Sequence, residues 1–423
     1  MILDRSLAPE FKVPEDFVLT PPECTTLSSG AKVFHISTPN LEAIKIEVIS
    51  KGQRASLPLE QTLVPSFTLQ MLQEGTVSKS AEEIADFLDF HASEIGMIST
   101  FSHEGLSLLT TRKHIFKVLP LLIEIINQPA FPVEILEKRK SQRKLSIRLE
   151  MEKTASRASQ LFRKTLFGPA HPYGVEIQEK HVEIIERELL ETYYQNKLWQ
   201  ETEFFVTGNF SSEEFRNLEL ILENIPFRKP EASFPTPAFV TGESIIEPRE
   251  KALQSSIRIG GFSIPKDHPD FIALSVFNTI LGGYFGSRLI KNIREDKGHT
   301  YGIYSSLAEI GTANYWVVNA DVQKVHFQEV INEVYKEIEK LCTYPLDSEE
   351  IETVRNYQIG QMLNRFSSSF ELMDRFRAVY HSGMDLDFYT RKLDFLKTFT
   401  QENILKTGQV FFSNPPFTEV VVG

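Results

Sequence analysis

Leu281-Gly-Gly-Tyr-Phe-Gly-Ser-Arg288-Leu289 runs on, after three residues, into Ile293-Arg294-Glu-Asp-Lys-Gly298-His-Thr-Tyr301. An apolar, helix-like run from Phe271 leads into it, and Gly282 and Gly283 permit a tight backbone before Ser287-Arg288. Strand-like alternation lies before it at Ser255 to Gly260 and after it at Asn314 to Ala320. An amphipathic helix is predicted from Phe327 to Leu341.

Moving outward, the same order of elements occurs earlier in the chain. Ala31 to Ser37 and Ala43 to Ser50 alternate like two half-buried strands, and Ser80-Ala-Glu-Glu83 is a capping box opening a helix. Strands at Gly96 to Phe101 and Gly105 to Thr110 precede helices from His114 to Asn127 and from Val133 to beyond Phe162. A turn at His171-Pro-Tyr-Gly174, a helix at Glu183 to Gln195, a strand at Glu203 to Thr207 and a helix capped by Ser211 complete the first half. Phe116, Pro132 and Ile135 find counterparts in Phe327, Pro345 and Ile351, offset by 211, 213 and 216 residues in a chain of 423. The chain therefore reads as a duplicated α+β unit, each copy a mixed, mostly antiparallel sheet packed with helices. The copies are expected at 1–225 and 243–423, joined by a proline-bearing connector at 226–242.

Composition narrows the function classes. A 41% hydrophobic, 24% charged chain is globular, which excludes extended disorder. The formal net charge of −12 argues against a nucleic-acid binder, which needs basic surface. The basic cluster from Lys138 to Arg148 lies on a helix interleaved with Leu136, Leu145 and Leu149 and reads as a solvated face. Cys24 and Cys342 are too few for a disulfide framework or a thiolate zinc cluster. The greasiest run, Val118 to Ile126, carries Pro120 and Glu124 and is too short for a membrane span. A soluble, cytoplasmic protein is expected.

Taken with Met71-Leu-Gln-Glu-Gly75-Thr76, His171 to Gly174 and the strand at Phe204 to Phe210, the opening stretch resembles the pitrilysin/insulinase family of zinc metallopeptidases. The resemblance is closest to the short bacterial branch and to mitochondrial processing peptidase subunits. In that family an H-x-x-E-H motif directly precedes the Met-Leu-x-x-Gly-Thr run, and its two histidines bind zinc while its glutamate is the general base. Here the five positions read Ser66-Phe-Thr-Leu69-Gln70, and the family's third ligand, a glutamate, falls near Ile147. Ser66, Leu69, Gln70 and Ile147 cannot assemble a tight zinc site. Glu150 and Glu152 lie about a helical turn away.

The zinc set is lost, but the family's second set, in the C-terminal half, is kept. The family's arginine and tyrosine, seven positions apart, bind the substrate backbone and help stabilise the oxyanion, and Arg294 and Tyr301 match them in type and spacing. The resemblance implies the non-metal subunit of a two-chain enzyme. No cofactor is expected in this chain; zinc is expected in a homologous partner, and a peptide is the expected substrate. An isolated chain could also pair with itself. The alternative is an inactive structural or peptide-binding homologue, as in the core subunits of respiratory complexes. Read without the resemblance, Arg294 beside Glu295 and Asp296 is an ion-paired surface residue, and Tyr301 a half-buried strand tyrosine. His299 is a polar residue where the family usually has an apolar one. The strand at Gly96 to Phe101 aligns with the family's substrate-pairing edge but lacks its usual Asn-Ala signature.

Overall fold

The structure is a computed structural model that describes residues 18–229, 242–413 and 417–423. Strands β1 (Glu23–Thr26), β2 (Lys32–Ser37), β3 (Ala43–Lys51), β4 (Glu94–Ser99), β5 (His103–Thr111) and β6 (Glu203–Gly208) form one sheet in the order β1-β2-β6-β3-β5-β4. Strands β7 (Ser244–Glu247), β8 (Gln254–Phe262), β9 (Thr300–Ile310), β10 (Ala313–Gln323) and β11 (Thr418–Val422) form a second in the order β7-β11-β8-β10-β9. Apart from the extra β1, the two sheets have one topology. In each, the first strand of the copy is parallel to the last (β2 with β6, β7 with β11), and the remaining neighbours are antiparallel. The fold is a duplicated α+β architecture. Most of the connector, residues 230–241, lies outside the described residues.

The two strands read at the start of the chain are β2 and β3, but they are not neighbours. β6 returns from more than a hundred residues away to lie between them, a non-local pairing that periodicity does not carry. The helix expected to run unbroken from Val133 is two helices, Val133–Glu152 and Thr154–Phe167, separated by extended backbone at Lys153 (φ −74°, ψ 120°). That break releases the second helix to cross to the other half. There Ala158, Leu161, Phe162 and Leu166 pack with Val317, Val420 and Val422 of the second sheet. Helix Ser369–Tyr380 makes the reciprocal crossing, placing Met373, Phe376 and Val379 against Phe34, Ile49 and Phe205 of the first sheet.

The crossings answer a demand of the sheets themselves. β6 and β8 are buried along almost their whole length, so an apolar surface remains on both faces and each face needs a cover. The outer strands, β4 and β9, are left as sheet edges. The turn at His171 to Gly174 adds a further tie, because the Tyr173 hydroxyl accepts a hydrogen bond from the Thr312 backbone N–H at 3.0 Å. Among the described residues, no helix is long and apolar enough to cross a membrane.

Candidate functional site

Ser66, Leu69 and Gln70 lie on helix Val64–Leu72, and Ile147 lies on helix Val133–Glu152. The fold has given the decisive positions to packing. Leu69 is 0% exposed and Ile147 3% exposed, and both belong to the first half's hydrophobic core. The Ser66 hydroxyl donates to the Leu63 carbonyl at 2.9 Å, and Gln70 is half-buried. Glu150, one turn beyond Ile147, is engaged by the Arg143 guanidinium and the Ser146 hydroxyl, each at 2.7 Å. An aliphatic side chain at the base position has no lone pair to take a proton.

Arg294 and Tyr301 stand at the edge of the other sheet. After helix Phe271–Asn278 the chain passes through two π-helical turns, Thr279–Gly283 and Ile290–Asp296, the second of which carries Arg294. Such widened turns present a side chain off the ordinary helical register and recur at functional sites. This one is tightly anchored. Ile290 and Ile293 enter the core, Arg288 makes a bidentate pair with Glu350 at 2.9 and 2.7 Å, and the Asn292 amide donates to Glu333 and Glu337. Gly282 is required for the packing of the first turn: a β-carbon there would lie 2.7 Å from the backbone N of Ser305 on β9. Gly283 has more room, its nearest such contact being 3.2 Å. Gly298, at φ +66°, then turns the chain into β9.

The outcome is a cation held between two rings. The Arg294 guanidinium carbon lies 5.3 Å from the centre of the Tyr301 ring and 4.9 Å from that of Phe285. Tyr301 is 87% exposed and Phe285 62% exposed, although large aromatics are ordinarily drawn inward. Among the described residues no carboxylate pairs with Arg294 and no group hydrogen-bonds the Tyr301 hydroxyl. The ion-paired reading of Arg294 with Glu295 and Asp296 therefore does not describe this fold. Phe285 has no role that spacing alone reveals; its place three residues after Gly282 in the glycine-rich run is the one signal the sequence offers.

Other polar groups are spoken for. Arg139 pairs with Glu74, Lys140 with Glu137, Lys144 with Glu183 and Arg148 with Glu179, so the basic helix face is an ion-paired surface. A cavity of about 650 Å³ at the junction of the halves is lined by Lys32, Lys51, His103, Glu203, Tyr380 and His381 among others, and neither Arg294 nor Tyr301 reaches it. His103 stacks on His381 at 3.8 Å, and burial, with His381 second, lowers its pKa to about 3. Glu104 is fully buried, and burial pushes its carboxyl up to about 8, although the Tyr193 hydroxyl donates to it at 2.7 Å.

Residues 185–357, which include both π-helical turns and Tyr301, match a family model described as the peptidase M16 inactive domain. Over that stretch the chain is similar to the pitrilysin, or peptidase M16, family. The chain is similar to the uncharacterized zinc protease YmxG of Bacillus subtilis strain 168, with 22% identity across 83% of this chain and 86% of YmxG. Among solved structures, a peptidase M16 inactive domain from Pseudomonas fluorescens matches with a TM-score of 0.84 and 19% identity, covering 95% of this chain and 98% of that one. The periplasmic protease PqqL of Escherichia coli matches with a TM-score of 0.80 and 15% identity, and there 99% of this chain covers only 48% of the other. These structural likenesses speak to the fold.

Proposed function

We propose that this chain is the non-metal subunit of a two-chain zinc metallopeptidase and completes the active site of a zinc-bearing homologue. The observation that carries the reading is the Arg294–Tyr301 pair, displayed on a rigid sheet edge with polar groups that no described residue uses. The guanidinium suits a substrate carbonyl, to which it donates forked hydrogen bonds, and the phenol suits the negative charge that develops on the scissile carbonyl oxygen. Zinc held by the partner supplies the activated water. This chain's own share is to orient a short or unstructured peptide and donate to the oxyanion. The match of this whole chain to about half of PqqL supports the idea of two such units in one working peptidase. Free cysteines at Cys24 and Cys342 suit a cytoplasmic site of action.

The test is reconstitution. The purified chain and a homologous chain carrying an intact H-x-x-E-H are assayed on a fluorogenic peptide separately and together. Activity well above the sum of the separate chains is expected. Cleavage by this chain alone, or a mixture no better than the zinc-bearing chain, overturns the proposal. A second reading, an inactive structural or peptide-binding homologue, is favoured by the match to domains described as inactive. Under it the exposed Phe285 and Tyr301 serve only as contact surface.

A further inference from the structure

His299, the polar residue in an otherwise apolar family position, does not stand alone. It lies close to His326 and Glu329, where a short 3-10 turn, Lys324–His326, opens helix Phe327–Thr343. His299 Nε2 is 3.1 Å from Glu329 Oε2, and His326 Nδ1 is 3.6 Å from the same oxygen. All three donor atoms fall within 4.8 Å of one another. The two imidazole rings lie 4.0 Å apart and nearly parallel. His299 Nε2 is buried, and its 3.1 Å approach to the carboxylate oxygen lacks hydrogen-bond alignment. A bound ion that engages the imidazole lone pair and the carboxylate together would satisfy both.

We propose that His299, His326 and Glu329 form a divalent transition-metal site. Two imidazole nitrogens and one carboxylate oxygen suit zinc, cobalt or nickel and disfavour calcium and magnesium, which take oxygen ligands. Bonds of about 2.0–2.1 Å in a tetrahedral centre place neighbouring donors about 3.3 Å apart. The two separations from the histidines to Glu329 Oε2, 3.1 and 3.6 Å, bracket that value. Glu329 has an oxygen to spare for the purpose, because Lys297 takes Oε1 at 2.9 Å and leaves Oε2 facing the histidines. Three protein ligands leave a fourth position for water.

The site lies in the opposite half of the chain from Ser66, Leu69, Gln70 and Ile147, so it does not restore the family's zinc centre. Its effect is local. The His299 backbone N–H donates to the Ile293 carbonyl at 3.0 Å, and Tyr301 follows two residues later. A cation at this point would pin the turn between Arg294 and Tyr301 to the start of helix Phe327–Thr343.

The test uses the full chain, stripped with a chelator and titrated with Co²⁺ and then Zn²⁺. One equivalent of Co²⁺ should produce visible absorption, and Zn²⁺ should displace it with a dissociation constant in the micromolar range or tighter. His326→Gln and Glu329→Gln should each weaken binding at least tenfold. These side chains are 35% and 44% exposed, so both variants should fold, which thermal melts will verify. His381→Gln, at the other stacked histidine pair, should leave binding unchanged. Absence of a one-to-one cobalt complex, or wild-type affinity in both variants, overturns the site and leaves an ion-paired histidine cluster only.

Discussion

Tyr301→Phe removes one oxygen atom and tests the proposed chemistry almost in isolation. The ring is 87% exposed and its hydroxyl has no hydrogen-bond partner among the described residues, so the folded state loses no internal bond. Stability should change by no more than about 0.5 kcal/mol, as for ordinary surface substitutions. The Arg294 guanidinium sits 5.3 Å from the ring centre, and a phenylalanine face attracts a cation much as a tyrosine face does. Arg294 should therefore keep its place, and with it most of the substrate binding. What disappears is a donor to the oxyanion. Loss of one such donor typically costs about 10²–10³ in kcat, or roughly 2.7–4 kcal/mol. The assay is steady-state cleavage of a fluorogenic peptide by the variant with a saturating zinc-bearing homologue, with thermal melts alongside. The expected result is a fall of at least a hundredfold in kcat, KM within about threefold, and an unchanged melting temperature. A kcat within threefold of the wild type would refute the oxyanion role and favour the structural reading. An altered melting temperature would show that the hydroxyl is part of the fold.

Three further substitutions probe the frame of the site. Leu69→Glu, which restores the family's acidic residue at the base position, puts a carboxyl into a fully buried place and should destabilise the chain by about 4 kcal/mol or more, read by urea denaturation. Gly282→Ala forces a β-carbon to within 2.7 Å of the Ser305 backbone and should cost about 1–3 kcal/mol, with joint activity falling as the π-helical turn shifts. For Glu104, burial raises the folded-state pKa to about 8 from an unfolded value near 4.5, so the folded state binds the extra proton. Its contribution is fully present below pH 4.5 and declines by up to about 1.4 kcal/mol per unit as pH rises towards 8. Glu104→Gln should flatten that slope and raise the melting temperature at pH 8; an unchanged pH profile would show that the carboxyl is ionised in the folded state.

Much of this was legible in the sequence because it is local. Capping boxes at Ser80 and Ser211 open the helices that they predict, and the 3.6-residue pattern from Phe327 gives one long amphipathic helix. The loss of the three ligands at Ser66, Gln70 and Ile147, and of the base at Leu69, is likewise a matter of residue identity. The placement of β6 between β2 and β3 and the break at Lys153 were not legible. Each is settled by a contact with a distant segment rather than by neighbouring residues. Arg294 and Tyr301 could be named from type and spacing. Their relation to Phe285, and the want of a carboxylate partner among the described residues, depend on how two π-helical turns meet an edge strand.

The sequence by itself determined the duplicated α+β class, and that the zinc-motif positions of the first half hold no ligand set while the second half carries an arginine and a tyrosine seven positions apart, since these follow from periodicity and residue identity. Tertiary structure decided what those side chains became. Leu69 and Ile147 are core because their helices turn them into the first half's packed interior, while Tyr301 is open on the edge strand β9. His299 acquired neighbours at His326 and Glu329 across the turn between β10 and its following helix, a convergence that no spacing along the chain encodes. Burial and convergence are properties of packed surfaces, and they exist only once distant segments have met.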